Sequence, residues 1–232
     1  MKANPANNRT LRKLSRWRNG RTQAAKPDAG WRSGALLLLA GVALCAEPAL
    51  AHHAMGGETP KTFWDGLLSG LAHPIIGLDH FAFVVAIGLL AAKQGWGWLF
   101  PVSFLLAALG GTILHLNWVD LPIVEIAIAG SVLMIGLLLW LRKTLPLSGA
   151  IAFGALAGLF HGYAYGESII GAEPPPLAAY LLGFTLIQAA IAFGAWWLGD
   201  RLLRRTPERA KALALPGLAI AGLGLVFLLQ AI

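Results

Sequence analysis

The chain has 232 residues, of which 57% are hydrophobic and 12% are charged. A soluble globular domain carries about 25% charged residues, so the composition excludes an ordinary water-soluble protein and indicates a membrane protein. The net charge of +7 does not indicate a nucleic-acid partner, because nine of the eighteen basic residues precede residue 34. From His52 onward the basic and acidic residues balance each other. Cys45 is the only cysteine, which excludes an intramolecular disulfide and a thiolate metal cage.

The first 51 residues have the features of a leader. Residues 1–33 are polar and basic, residues 35–45 form a short apolar run, and residues 49–51 present the small residues that a signal peptidase reads. Cleavage there would make His52 the mature N-terminus. An uncleaved signal anchor is the alternative, and both interpretations place residue 52 outside the cytoplasm.

Six apolar stretches follow, each near the roughly 20 residues that a membrane-spanning helix needs. They lie near 63–92, 96–117, 121–141, 147–167, 177–199 and 213–231. The fold class that we predict is therefore all-α, a polytopic membrane helix bundle whose six transmembrane helices form one permease domain over residues 52–232. The first stretch is too long for one upright span, so we expect residues 62–69 to lie in the membrane interface.

The distribution of basic residues predicts the orientation of these spans. Starting from the outside, the inner loops hold eight Lys and Arg residues, whereas the outer segments hold only Lys61. Cytoplasmic loops carry such an excess of positive charge. We therefore predict a multi-pass protein of a bacterial-type inner membrane, with the mature N-terminus and the C-terminus both on the outer side.

The first predicted helix contains His73, Asp79 and His80 within eight positions. The two histidines are seven residues apart, or two helical turns, so we expect both imidazoles on nearly one face. Ionisable groups in hydrocarbon are unfavourable by several kcal/mol unless they are paired or line a wet cavity. Imidazole and carboxylate ligands suit nickel, cobalt or zinc better than calcium or magnesium. A proton relay and simple interhelical hydrogen bonding remain alternatives.

The fourth predicted helix contains His161 and, at its outer end, Glu167. Residues 69–73 align with residues 157–161, and an acidic residue follows each histidine by six positions. An offset of about three helices would place the two halves in opposite orientations, as in a 3+3 inverted repeat around a midplane site. The match is short, so chance similarity is the competing explanation.

Glycines also recur along the fourth helix, every four residues from Gly154 to Gly166. Such a smooth face allows another helix backbone to approach closely. Tight packing would hold the neighbouring polar side chains in place.

Further donors lie toward the predicted outer face. We expect His115, Glu125 and Glu167 to form an entrance for the ion. His52 and His53, at the mature N-terminus, could capture an ion and pass it to the membrane site. An ordinary solvated tail is the alternative for these two histidines.

At His73-x5-Asp79-His80 and at Phe160-His161-Gly162 the sequence resembles the HupE/UreJ family of nickel and cobalt permeases, which are associated with hydrogenase and urease systems. The resemblance implies a cleavable leader, six spans and ion binding by the matching histidines and acids: His73, Asp79, His80, His161 and Glu167. One departure is Tyr165, which stands where the family commonly has a second histidine. A phenol is a poor ligand for a divalent ion at neutral pH.

The leading hypothesis is a permease and not an enzyme, with Ni2+ or Co2+ as transported ion, Zn2+ as a further candidate and no prosthetic group. Its partners are the lipid bilayer and the divalent metal ion. A zinc-dependent intramembrane hydrolase and a non-transporting accessory protein for metalloenzyme assembly are the alternatives. The sequence leaves the metal, the energy coupling and the oligomeric state open, a homo-oligomer included.

Overall fold

The computed structural model describes residues 58–94, 97–205 and 213–232. These ranges contain seven helices and no strand, in agreement with the predicted all-α class. The helices are α1 (Phe63–Ile76), α2 (Leu78–Ala91), α3 (Leu99–Leu116), α4 (Val124–Trp140), α5 (Leu147–Glu167), α6 (Pro174–Arg205) and α7 (Ala214–Gln230). The leader, His52 and His53 lie outside the described residues, so the expectations for them stay predictions.

Three of these helices, α3, α5 and α6, are long and apolar enough to cross a membrane. The bent pair of α1 and α2 makes a fourth candidate if it counts as one span. The apolar helices α4 and α7 are shorter, with 17 residues each. A chain with this many long apolar helices is an integral membrane protein.

The first predicted helix is two helices, α1 and α2, which meet at Gly77 with a bend of 77°. Our expectation that His73 and His80 share one face of a continuous helix is therefore wrong. Pro74, in the last turn of α1, cannot donate a backbone hydrogen bond, and Gly77 adopts an extended conformation that ends the helix. At its other end, α1 begins with a capping box between Thr62 and Asp65.

The bent pair lies along the 32-residue helix α6. A side chain at Gly66, near the start of α1, would overlap the backbone of Pro176, and a side chain at Gly199 would meet Ala92, just after α2. These two contacts are separated by 23 residues of α6, about 35 Å at the α-helical rise. The bent pair therefore covers about the thickness of a bilayer's hydrocarbon core.

Glycines mediate the close packing of two further helix pairs. The predicted glycine face of α5 lies against α3, where Gly158 contacts the Phe104 carbonyl and Gly162 contacts the backbone of Ala108. In the other pair, Gly136 of α4 approaches the α7 backbone closely. Side chains at these glycines would push the helices apart, so glycine is required for the observed separation.

Helix α2 lies at the centre of the described bundle. Eleven of its fourteen residues are buried, including Asp79 and His80. A helix that is apolar on all sides belongs in the interior of a protein, and this one is enclosed by its neighbours. The break at Gly77 thus places two polar residues at the start of a helix that the protein itself surrounds.

Candidate functional site

Four of the predicted site residues meet where α1, α2 and α5 come together. His73 lies in the last turn of α1, Asp79 and His80 in the first turn of α2, and His161 in α5. None of the four is more than 7% exposed. His73 and His80 stay near each other across the bend between α1 and α2. The centroids of their rings are 5.8 Å apart.

His80 and His161 form a direct contact between the first and fourth predicted spans. Their Nδ1 atoms are 2.8 Å apart, which is a hydrogen-bond distance. On the far side of the second ring, Nε2 of His161 lies 2.9 Å from the Ser131 hydroxyl of α4. That hydroxyl donates to the carbonyl of Ile128 at 2.7 Å. A buried chain of hydrogen bonds therefore runs from α4 through α5 to α2.

A second buried network holds His73. Its Nδ1 atom lies 2.9 Å from the hydroxyl of Ser168 and 3.1 Å from that of Tyr180. The Tyr180 hydroxyl donates to the backbone carbonyl of Tyr165 at 2.8 Å. Residues at the end of α5 and the start of α6 thereby orient a histidine of α1.

Tyr165 packs between the two histidines of the first predicted span. Its ring centroid lies 5.1 Å from that of His73 and 4.5 Å from that of His80. Its hydroxyl donates to the side-chain oxygen of Gln188 at 3.2 Å, while the Gln188 amide donates to the carbonyl of Phe184. The phenol oxygen is therefore engaged with α6, and the aromatic ring shapes the space beside both imidazoles.

A cavity of about 370 Å³ reaches Asp79 and His80 from the protein surface. Its polar lining consists of these two residues with Glu125, Glu167 and Gln230, and the rest is apolar: Val124, Ile128, Ala129, Ala164, Phe227 and Ala231. Asp79 and His80 are buried, whereas Glu125 and Glu167 are exposed. At about 30 Å³ per water the cavity has room for about twelve waters, so a hydrated cation fits.

His115 does not line this cavity. Its ring packs against that of Tyr163 with 4.2 Å between centroids, and its Nδ1 atom is buried with no hydrogen-bond partner among the described residues. Glu125 and Glu167, the other two expected entrance residues, are brought together at the cavity.

In the described ranges no group of three or more His, Cys, Asp or Glu side chains has the geometry to hold a metal ion. The contact between His80 and His161 is also not that of two ligands on one ion. Two nitrogens bound to one metal at about 2.05 Å lie about 2.9 to 3.3 Å apart for bond angles of 90° to 109°, and both must be unprotonated. The Nδ1 atoms of His80 and His161 are 2.8 Å apart and share a proton. An ion must therefore use other nitrogens or break this bond.

The structure adds three residues that the sequence reasoning missed: Ser131, Ser168 and Tyr180. Single hydroxyls in apolar helices are common and gave no signal. Gln188 was recognisable as a polar residue within an apolar span, but its partner Tyr165 is 23 residues away and on another helix.

Comparison with known proteins finds a matching protein family and a similar protein. A family model described as HupE / UreJ protein matches residues 39–227. Protein HupE from Rhizobium leguminosarum bv. viciae is 34% identical over 161 residues, which cover 66% of this chain and 79% of that protein. No solved structure matches. The matched region contains His73, Asp79, His80 and His161.

Proposed function

Because the chain belongs to the HupE/UreJ family, we propose that this integral membrane protein is a permease for a divalent transition-metal ion, nickel or cobalt. The observation that carries the proposal is the cavity that reaches buried Asp79 and His80. Carboxylates of Glu125 and Glu167 stand at the same cavity, and the described residues that line it include no Lys or Arg. A cleft lined by one sign of charge attracts the opposite ion, in this case a cation.

The ion enters from the outer side, where Glu125 and Glu167 attract it. It then loses part of its water shell to the donors around the bend, His73, Asp79 and His80, with His161 beside them. Imidazole and carboxylate ligands select for a transition metal over calcium or magnesium. Transport also requires release, so the affinity of the site is moderate. Capture of the ion by His52 and His53, and a contribution of His115 to the entrance, are further parts of the proposal.

We assign six spans, with α1 and α2 forming one broken span and each of the other helices one. The 17-residue helices α4 and α7 are at the short end of the spanning range. The basic loops support the orientation, because Nζ of Lys93 after α2 donates to the carbonyl of Lys143 after α4 at 3.1 Å. Burial, followed by repulsion from Arg142, lowers the pKa of Lys93. Two predicted inner loops therefore meet.

Reciprocal contacts support a 3+3 inverted repeat. Adding 88 to the numbers of His73 and His80 gives His161 and Ser168. The bond between His80 and His161, 2.8 Å, thus has a counterpart in the bond between Ser168 and His73, 2.9 Å. A two-fold relation between halves requires such pairs, because each contact from the first half to the second recurs with the roles exchanged.

The helix contacts follow the same relation. Gly136 of α4 contacts the backbone of Ala221, and Gly224 of α7 contacts the backbone of Leu133. The same offset of 88 relates residue 136 to residue 224 and residue 133 to residue 221. A repeat requires two contacts related in this way, and they support it independently of the short sequence match.

Metal flux into liposomes tests the function. Purified protein should carry Ni2+ or Co2+ inward, and the variants Asp79→Asn and His80→Ala should lose most of this flux. Asp120→Asn is the matched control, since Asp120 is exposed and does not line the cavity. Equal flux in all variants would defeat the proposed site.

The same preparation separates the alternative functions. Stoichiometric zinc that stays bound through purification, without flux, would favour a hydrolase. A protein that neither transports an ion nor retains zinc would favour an accessory role in metalloenzyme assembly.

A further inference from the structure

We propose that the segments after α2 and after α4 together form a binding site for the headgroup phosphate of an anionic phospholipid, at the predicted inner surface of the membrane. The site consists of Lys93, Arg142 and Lys143. It lies outside the cavity that the proposed transport function uses. The proposal needs only the membrane location of the helices, so it stands or fails separately from metal transport.

A side-chain contact joins the two segments. Nζ of Lys93 donates to the backbone carbonyl of Lys143 at 3.1 Å. An ammonium group has three N–H donors, so this contact leaves two for another partner. Burial and then repulsion from Arg142 lower the pKa of Lys93, which shows that these two cations lie within electrostatic range of each other. Arg142 and Lys143 are both exposed.

Capping of the helix ends does not account for this cluster of cations. Lys and Arg near a helix C-terminus often bind its unpaired carbonyls or offset its dipole. Here the backbone N–H groups of residues 141–143 already bind the carbonyls of residues 137–139, and those of residues 92–94 bind carbonyls of residues 88, 90 and 91. Each helix dipole is equivalent to about half a unit charge at its end. Two helix ends therefore offset about one of the three positive charges.

Acidic side chains do not offset the remainder within the described ranges. None of the three cations takes part in an ion pair there, and the pair between Lys61 and Glu58 lies in a predicted outer segment. Neither residues 92–98 nor residues 141–146 include an Asp or a Glu. Like charges held together disfavour one another, and a nearby anion relieves this repulsion. The cluster is therefore suited to a bound anion.

The surroundings favour a lipid over a soluble anion. Trp140 and Leu141, which directly precede Arg142, are 38% and 54% exposed. They follow the apolar helix α4, at the level where Trp rings favour the headgroup layer of a membrane. A phospholipid presents a phosphate directly above its acyl chains, so it can contact the cations and this apolar surface together. Basic groups between membrane helices on the cytoplasmic side bind anionic headgroups in the same way.

Native mass spectrometry of the purified full-length protein tests the site. The detergent-solubilised protein is titrated with phosphatidylglycerol, which is anionic, and separately with phosphatidylcholine, which has no net charge. We expect the wild type to bind phosphatidylglycerol more tightly. Lys93→Gln and Arg142→Gln should each weaken this binding by about fivefold, the usual contribution of one cation at a membrane surface. Arg142→Lys keeps the charge and should stay within about twofold of wild type.

Arg201→Gln is the matched control. It removes one positive charge from an exposed position near the end of α6, also on the predicted inner side. Its guanidinium carbon lies 4.9 Å from the centroid of the Trp197 ring, so Arg201 already has a partner of its own. We expect this variant to bind phosphatidylglycerol within about twofold of wild type.

Three results would overturn the proposal. Equal wild-type binding of the two lipids would do so without any variant. A preference for phosphatidylglycerol that Lys93→Gln and Arg142→Gln leave intact would place the lipid elsewhere. Inorganic phosphate that binds at this cluster, detected by 31P NMR as binding that Lys93→Gln abolishes, without a preference among the lipids, would show a site for a soluble anion. Loss of metal flux in the wild type bears on the proposed function and leaves the lipid result unaffected.

Discussion

Replacing Gly77 by alanine tests whether the position of the His80 ring controls ion binding. Gly77 has φ −69° and ψ 101°, a conformation that alanine adopts freely. The substitution therefore adds one methyl group without straining the backbone. That methyl carbon would lie 2.6 Å from Cδ2 of His80 and 3.3 Å from Oδ1 of Asp79.

The size of the effect follows from these distances. Ordinary contacts begin at 3.4 Å, so the edge of the His80 ring must move by about 0.8 Å. Binding sites tolerate displacements of about 0.5 Å, and a movement of this size also disturbs the 2.8 Å contact between His80 and His161. We expect Ni2+ to bind about 10- to 100-fold more weakly, or about 1.4 to 2.7 kcal/mol.

The assay is the half-saturating Ni2+ concentration for flux into liposomes, measured with a control at Gly130. An added Cβ at Gly130 meets nothing within 4 Å, although this residue adjoins Ser131 in α4. Gly130→Ala should therefore transport like wild type. If Gly77→Ala inserts normally and keeps the wild-type half-saturating concentration, the position of the His80 ring does not control binding and the reasoning is refuted.

Three other predictions concern pH, packing and the cavity entrance. Ni2+ binding should weaken as pH falls, because a protonated imidazole cannot ligate. Titration between pH 8 and 5.5 checks this, and constant affinity would contradict it. Gly162→Ala should destabilise the protein by about 1 to 3 kcal/mol, since the added Cβ overlaps the Ala108 backbone. In the control Gly110→Ala the added Cβ meets nothing within 4 Å, so the melting temperature should stay near that of the wild type. Equal melting temperatures of the two variants would count against the packing argument. Glu125→Gln and Glu167→Gln should each raise the half-saturating Ni2+ concentration a few-fold at low ionic strength and less at high salt, and an effect independent of salt would exclude electrostatic attraction as the cause.

The helical segments were predictable because the membrane constrains sequence strongly. Backbone groups in hydrocarbon must bond within a helix, so a spanning segment shows itself as an apolar run of defined length. The close approach of α3 to α5 was also foreseeable in part, since the glycines from Gly154 to Gly166 left one face of α5 without side chains. Which helix would occupy that face required the structure.

The break between α1 and α2 was not predictable from the same reasoning. Pro74 and Gly77 permit a bend, but many membrane helices contain such residues and continue. The observed course depends on α6, whose backbone contacts Gly66 and Gly70 of α1 and Gly88 of α2. Contacts between distant segments therefore select one of the conformations that the local sequence allows.

The site shows the same division. His73, Asp79, His80 and His161 could be identified from sequence because an ionisable side chain in an apolar helix is unfavourable unless something binds or pairs with it. A serine hydroxyl in a helix can donate to a carbonyl of the preceding turn, as Ser131 does to Ile128, so its presence in an apolar helix is not a comparable signal. The importance of Ser131 depends on which atoms lie within 3 Å of it. Distances of that kind arise only when helices far apart in the chain pack together, since hydrogen bonds depend on position to a few tenths of an ångström.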